Sequence, residues 1–128
     1  MSCHDNRVES ALIEEVLREA GARFAFVFGS RARGDHRPGS DLDVAAYFGS
    51  APPPAFAVLV PAGVDLLILD SAPLELAGRV AVEGVLLFDG DPDARIEWLA
   101  RTRKVYFDER YRLERAHREF AEAVAVRG

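Results

Sequence analysis

Two short apolar runs, Phe24 to Phe28 and Val44 to Phe48, constrain this chain more than anything else in it. Each is too short for a helix. The first is apolar on both faces, which predicts a buried central strand. The polar stretch between them is broken by Gly29, Gly34, Pro38 and Gly39. Gly29-Ser30 ends the first strand, Ser30 to Gly34 is expected to make a single helical turn, and Asp35 to Ser40 reads as loop. The second strand is expected over Asp41 to Phe48, opening with Asp41-Leu42-Asp43. Alternation along a strand puts Asp41 and Asp43 on one face and Leu42 on the other. Two neighbouring carboxylates repel, a poor way to stabilise a sheet. A cation between them removes that objection, so this stretch is where the function is expected.

The flanking sequence supplies the remaining elements. Val8, Leu12, Ile13, Val16, Leu17 and Ala20 recur at helical spacing, with Asp5 as expected N-cap, Gly21 as stop and residues 1–7 loose. Gly49 and Pro52-Pro53-Pro54 end the second strand, and Ala55 to Val60 is expected as a short helix started by Pro54. Val64 to Leu69 reads as a third strand with Asp65 near its start, Pro73 to Glu83 as a helix, and Val85 to Phe88 as a fourth strand. From Pro92, with Asp91 as N-cap, the chain reads as helical nearly to its end, with a break expected near Phe107-Asp108. The fold expected is α/β: a small mixed sheet of about four strands flanked by helices, with C-terminal helices. One domain over residues 1–128 is expected, with a core of about 8–90 and a helical tail of about 91–126.

At 128 residues the chain can bury a core without staples. Composition, 49% hydrophobic and 29% charged, is that of a soluble globular protein. No apolar stretch reaches the roughly 18 residues that a membrane helix needs, and the start lacks a signal-peptide layout, so a cytoplasmic protein is expected. One cysteine, Cys3, excludes an internal disulfide and a cysteine-based zinc site. A net charge of −5 argues against direct nucleic-acid binding by bulk electrostatics.

Gly29-Ser30, Asp41-x-Asp43 and Asp65 are the parts a nucleotidyl transfer needs. Two divalent cations clamp the attacking and departing oxygens. Magnesium takes octahedral oxygen ligands, supplied by a few carboxylates, phosphates and water. A glycine allows close backbone approach, and a following hydroxyl and N–H can hold the outer phosphates. A third carboxylate near the acceptor can take its proton. Singly these signals are weak, since an Asp-x-Asp is more often a turn and Gly-Ser usually only ends a strand. Their joint spacing is specific.

That spacing resembles the minimal nucleotidyltransferase family of the polymerase beta-like superfamily, whose signature is Gly-Ser, ten residues, Asp-x-Asp and a later strand Asp. The flanks FGSRARG, SDLDV and VDLLIL match as well, and the resemblance covers about residues 8–110. It implies a nucleotidyltransferase fold, Gly29 and Ser30 as nucleotide-binding residues, and Asp41, Asp43 and Asp65 as catalytic and metal-binding residues. It implies two Mg2+ ions and ATP as substrate. MNT-type members of the family are antitoxins that transfer AMP to a tyrosine of a HEPN ribonuclease toxin, so such a toxin is the partner the resemblance implies. Larger relatives, such as aminoglycoside nucleotidyltransferases, carry an extra acceptor-binding domain. Here only a helical tail follows Phe88, so the acceptor is expected to come with a partner. The tail, with Ile96, Leu99, Val105, Phe107, Tyr111, Phe120 and Val124, is expected to pack on its own core and partly on that partner. Residues 49–63 depart from the family, being a short, Pro-rich substitute for a longer crossover helix. Two rival functions remain: a non-catalytic antitoxin that acts by occlusion, and a transferase for a small-molecule hydroxyl.

Other features carry less. Arg31, Arg33 and Arg37 lie where they can offer charge-assisted phosphate contacts, and Ser40 ends the loop. There is no Walker-type Gly-x-x-x-x-Gly-Lys-Ser/Thr. His4, His36 and His117 are scattered. Arg112 and His117 fit the Arg-x4-His signature of HEPN ribonucleases, but that family is all-helical and as long as this whole chain, so the pair reads as a solvated helix face.

Overall fold

A computed structural model describes residues 2–34 and 41–127. His36, Arg37 and Ser40 lie outside the described residues, as do the side chains of His4 and Arg31.

Helix α1 (Ser2–Glu19) leads into β1 (Phe24–Phe28), a short α2 (Ser30–Arg33) and β2 (Leu42–Tyr47). After a single 3-10 turn at Ala55–Ala57 come β3 (Val64–Ile68) and a second 3-10 turn at Leu69–Ser71. Then follow α3 (Leu74–Glu83), β4 (Val85–Asp89) and α4 (Pro92–Arg127). The strands form one mixed sheet in the order β3-β2-β1-β4. Strand β1 is antiparallel to both β2 and β4, whereas β2 and β3 are parallel.

The alternation expected of β1 sorts its side chains onto the two faces of the sheet. Phe24 and Phe26 join Ala45, Ala77, Val80, Ala81 and Trp98 in a core between the sheet, α3 and α4. Ala25 joins Ile13, Leu17, Val44, Ala46, Ile68 and Phe88 in a second core beneath α1. Burial on both faces is why β1 reads as a continuous apolar run. Phe24 stacks on Tyr47 at 5.0 Å between ring centres, and Trp98 of α4 lies against Phe24 and Phe26 at 5.9 and 6.0 Å. Helix α3 comes close to α4 at Gly78, where a Cβ would fall on the Tyr106 ring.

Four expectations are corrected. Helix α1 begins at Ser2, so Asp5 is inside it and not at its N-cap. The crossover holds one 3-10 turn in place of a helix to Val60. Helix α4 is continuous over 36 residues, with no break at Phe107-Asp108. That step contains neither Gly nor Pro; the i,i+4 ion pair Lys104–Asp108 spans it, and Arg110–Glu114 and Arg115–Glu119 continue beyond it. Finally, Ile96, Val105, Phe107, Tyr111, Phe120 and Val124 are exposed and do not pack on the core. The face of α4 that does is Trp98, Thr102 and Tyr106, spaced four apart. Its start agrees with expectation, since the Ala94 N–H donates to Asp91 Oδ1 at 3.2 Å.

Candidate active site

The candidate site is built on three adjacent strands in register. Phe28 at the end of β1 stands opposite Asp43 on β2, and Asp43 stands opposite Asp65 on β3. Opposed residues of neighbouring strands share a face. That face is the α3/α4 face, because Asp43 and Ala45 alternate on β2 and Ala45 belongs to the core there. Gly29 turns the chain immediately beyond Phe28, with φ +76°, a backbone that side chains rarely adopt. A Cβ on Gly29 would also meet the Asp43 carboxylate. Two independent constraints thus hold this position to glycine. The Arg33 N–H then donates to the Gly29 carbonyl at 3.2 Å, closing the single turn of α2.

These groups line one cleft of about 470 Å3, with Phe28, Gly29, Ser30, Arg33, Asp43 and Asp65 on the sheet side. The opposite wall is Leu76, Arg79 and Glu83 of α3. Asp41 is exposed, immediately before β2, and is not part of the cleft lining. It is close enough to act on Asp43 through its charge. Burial pushes the Asp43 carboxyl above its usual range; Asp65 and Asp41 push the same way, and the Arg33 guanidinium offsets part of the rise. The carboxylates therefore repel one another across the mouth of the cleft. Among the described residues no three His, Cys, Asp or Glu side chains form a metal cage by themselves.

Sequence reading missed the α3 wall. Leu76, Arg79 and Glu83 are i, i+3 and i+7 on one helix stripe, bordering the buried Ala77, Val80 and Ala81. That period was visible, but nothing in it says which layer the polar face overlooks. Arg33 reaches Glu83 across the cleft at 3.8 Å. Asp70 was missed too: its carboxylate accepts from the Phe48 and Gly49 N–H groups at 2.9 and 2.7 Å, fastening the end of β2 to the turn after β3. Of the remaining candidates, Arg112 pairs with Glu109 at 3.7 Å, and both Arg112 and His117 are exposed on the far half of α4.

The small mixed sheet, helices on both faces and long C-terminal helix make up the nucleotidyltransferase fold. The chain belongs to the polymerase beta nucleotidyltransferase family, whose profile matches residues 11–93. No curated protein matches it significantly in sequence. Among solved structures it is similar to a chain of a toxin–antitoxin complex with AMP-PNP, at 22% identity and a TM-score of 0.65, covering 90% of this chain and 97% of that one. It is similar also to a chain of the complex of a tri-AMPylated Shewanella oneidensis HEPN toxin with its MNT antitoxin, at 19% identity and a TM-score of 0.61, covering 92% and 97%. A MntA–HepT toxin–antitoxin chain matches to the same extent, with a TM-score of 0.61 at 19% identity. At these identities the likeness carries the fold.

Proposed function

We propose that this chain is a metal-dependent adenylyltransferase that transfers AMP from ATP to a hydroxyl, a tyrosine by family resemblance, of a partner HEPN toxin, and so acts as its antitoxin. The observation that carries the reading is the Asp43–Asp65 pair, in register on adjacent strands and facing the cleft that begins at Gly29-Ser30. The toxin–antitoxin complexes of the same fold, one with AMP-PNP and one of an MNT antitoxin with an AMPylated toxin, support it.

The donor set suits a divalent cation. Burial first, then repulsion from Asp65 and Asp41, raises the Asp43 carboxyl, and a cation relieves the repulsive part. Asp41, Asp43 and Asp65 would hold magnesium, with phosphate oxygens and water completing its shell. When bound, the metal supplies charge neutralisation for the triphosphate and the reacting oxygens. The chain's own residues do the rest. Gly29 lets the phosphates approach the backbone, and the Ser30 hydroxyl and N–H donate to them. Asp65, the more exposed of the facing pair, accepts the proton of the acceptor hydroxyl. The acceptor oxygen bonds to the α-phosphorus as the bond to pyrophosphate breaks, and pyrophosphate leaves with that electron pair.

The test is incubation with α-labelled ATP, magnesium and the protein encoded beside this chain's gene. Label on that protein, lost in Asp43→Asn and Asp65→Asn and on addition of EDTA, is the expected result. Neutralisation of the toxin without label would replace transfer by occlusion. Label found only on an added aminoglycoside would move the acceptor to a small molecule.

A further inference from the structure

Strand β3 lies at the edge of the sheet, and among the described residues no strand pairs with its outer side. The Leu42 N–H donates to the Gly63 carbonyl at 2.8 Å. In a parallel ladder the residues that face the neighbour alternate. Residues 63, 65 and 67 therefore turn their backbone toward β2, and residues 64, 66 and 68 turn theirs outward. The Val64 N–H is used in a turn, donating to Pro61. Leu66 is left to present both its N–H and C=O at the free edge, and Ile68 its N–H, since the Ile68 carbonyl caps the 3-10 turn at Leu69–Ser71.

A groove of about 520 Å3 runs along this edge, with Leu66, Leu67 and Ile68 as its floor. Its walls are Pro52 to Ala55 on one side and Ser71 to Pro73 on the other. Four of the wall residues are prolines, which have no N–H to offer the strand carbonyls, and their rings make the groove mainly apolar. Phe56 and Leu59, 87% and 84% exposed, extend the apolar surface along the same crossover segment. Leu66 and Leu67 also line the nucleotide cleft. The groove and the cleft therefore lie side by side, sharing Leu66 and Leu67 next to Asp65.

We infer that the β3 edge is the docking site for the acceptor: an extended, apolar-flanked segment of the partner protein, from a loop or terminus outside its helices, that adds as a further strand and carries the hydroxyl to be modified. This rests on the transfer reading given above and names how its acceptor is held. An edge with unpaired peptide groups selects a backbone, which a small aminoglycoside does not have. A residue of the added strand opposite Asp65 shares its face, with Cβ atoms about 5 Å apart. Its hydroxyl then stands over the cleft beside the group that takes its proton, and the new bond forms between that oxygen and the α-phosphorus as pyrophosphate departs. The short, Pro-rich crossover is what leaves this edge open.

The experiment uses the full chain with Ala55→Arg and Ser71→Arg, two exposed groove-wall positions outside the nucleotide cleft. The acceptor probe is the protein encoded beside this chain's gene. Both variants are expected to bind magnesium-ATP with unchanged affinity and to raise the acceptor KM about tenfold or more, with kcat recovered at high acceptor. Amide exchange at Leu66 is expected to slow when the acceptor is added to the wild-type chain without ATP. Equal acceptor KM in wild type and variants, or no slowing at Leu66, overturns the groove while leaving the transfer reading standing. A wild-type chain that labels no protein overturns the transfer reading and the groove's role with it. Slowing at Leu66 that depends on the concentration of this chain alone assigns the edge to a second copy, and also overturns the inference.

Discussion

Asp43 is where function and stability pull apart. Its carboxyl is raised by burial first, then by Asp65 and Asp41. A group whose native pKa lies above its unfolded value binds more protons in the native state across that window, so stability falls as pH rises from near 3.8 through the raised value. At neutral pH the ionised side chain is thus a net cost in the absence of metal. Asp43→Asn is expected to raise the melting temperature of EDTA-treated protein by on the order of 2 °C. Magnesium with nucleotide should stabilise the wild type and not the variant, reversing the order. Thermal melts at pH 7 with EDTA, and again with magnesium-ATP, check both halves; a variant that melts lower in EDTA would mean that the carboxylate is held by partners and not strained by them. Alternation along one strand paired Asp41 with Asp43, but Asp41 lies before β2 and outside the cleft lining. The carboxylate facing Asp43 is Asp65 of the next strand, a pairing that alternation within one strand does not give. Asp70 was not legible, since its acceptor role joins residues 21 and 22 positions apart and a lone Asp after a strand has no pattern.

The strands were legible in the sequence. The run Phe24–Phe28 predicted β1 with both its bounds, because the turn at Gly29 and the bend before Phe24 are written in the chain. Helix α3 was read from its apolar spacing, but its partner was not, because the seam with α4 is set by what is missing. Gly78 has no side chain, and Tyr106 fills that gap. A helical glycine is ordinarily worse than alanine by about 1 kcal/mol, so Gly78→Ala would be stabilising if the position were open. Here the added methyl falls on the Tyr106 ring. Overpacking typically costs about 1–3 kcal/mol, and the variant is expected to lose about 1–2 kcal/mol in urea unfolding. In the background of Tyr106→Ala, where the ring is gone, the same change should become neutral or stabilising. A Gly78→Ala chain as stable as wild type would show that α3 and α4 are not locked at this point.

Across the whole molecule, stability is divided unevenly along α4. Up to Tyr106 the helix is held by Trp98, Thr102 and Tyr106, and Arg103 donates to the Ala81 carbonyl at 2.7 Å. From Arg110 to Val126 the described residues are exposed, and Leu113, Phe120 and Val124 touch no core. Helix formation without tertiary packing is marginal at such lengths, although the ion pairs Arg110–Glu114 and Arg115–Glu119 each add a few tenths of a kcal/mol. The periodicity of the tail was read correctly as helical. Of the apolar residues expected to pack on their own core and partly on a partner, Leu99 reaches the core and Ile96, Val105, Phe107, Tyr111, Phe120 and Val124 do not, because a helical stripe does not reveal where the body ends. It follows that the candidate site and the distal helix are expected to be energetically separate. Removing residues 112–128 is expected to leave magnesium-ATP affinity unchanged and the melting temperature within about 2 °C of the full chain. In the full chain, amide exchange should be fast beyond Arg110 and slow around Trp98. A truncated chain that binds nucleotide several-fold more weakly would show that the distal helix supports the cleft, by way of Arg110, which lies over the Tyr106 ring beside Arg79 and Glu83 and pairs with Glu114.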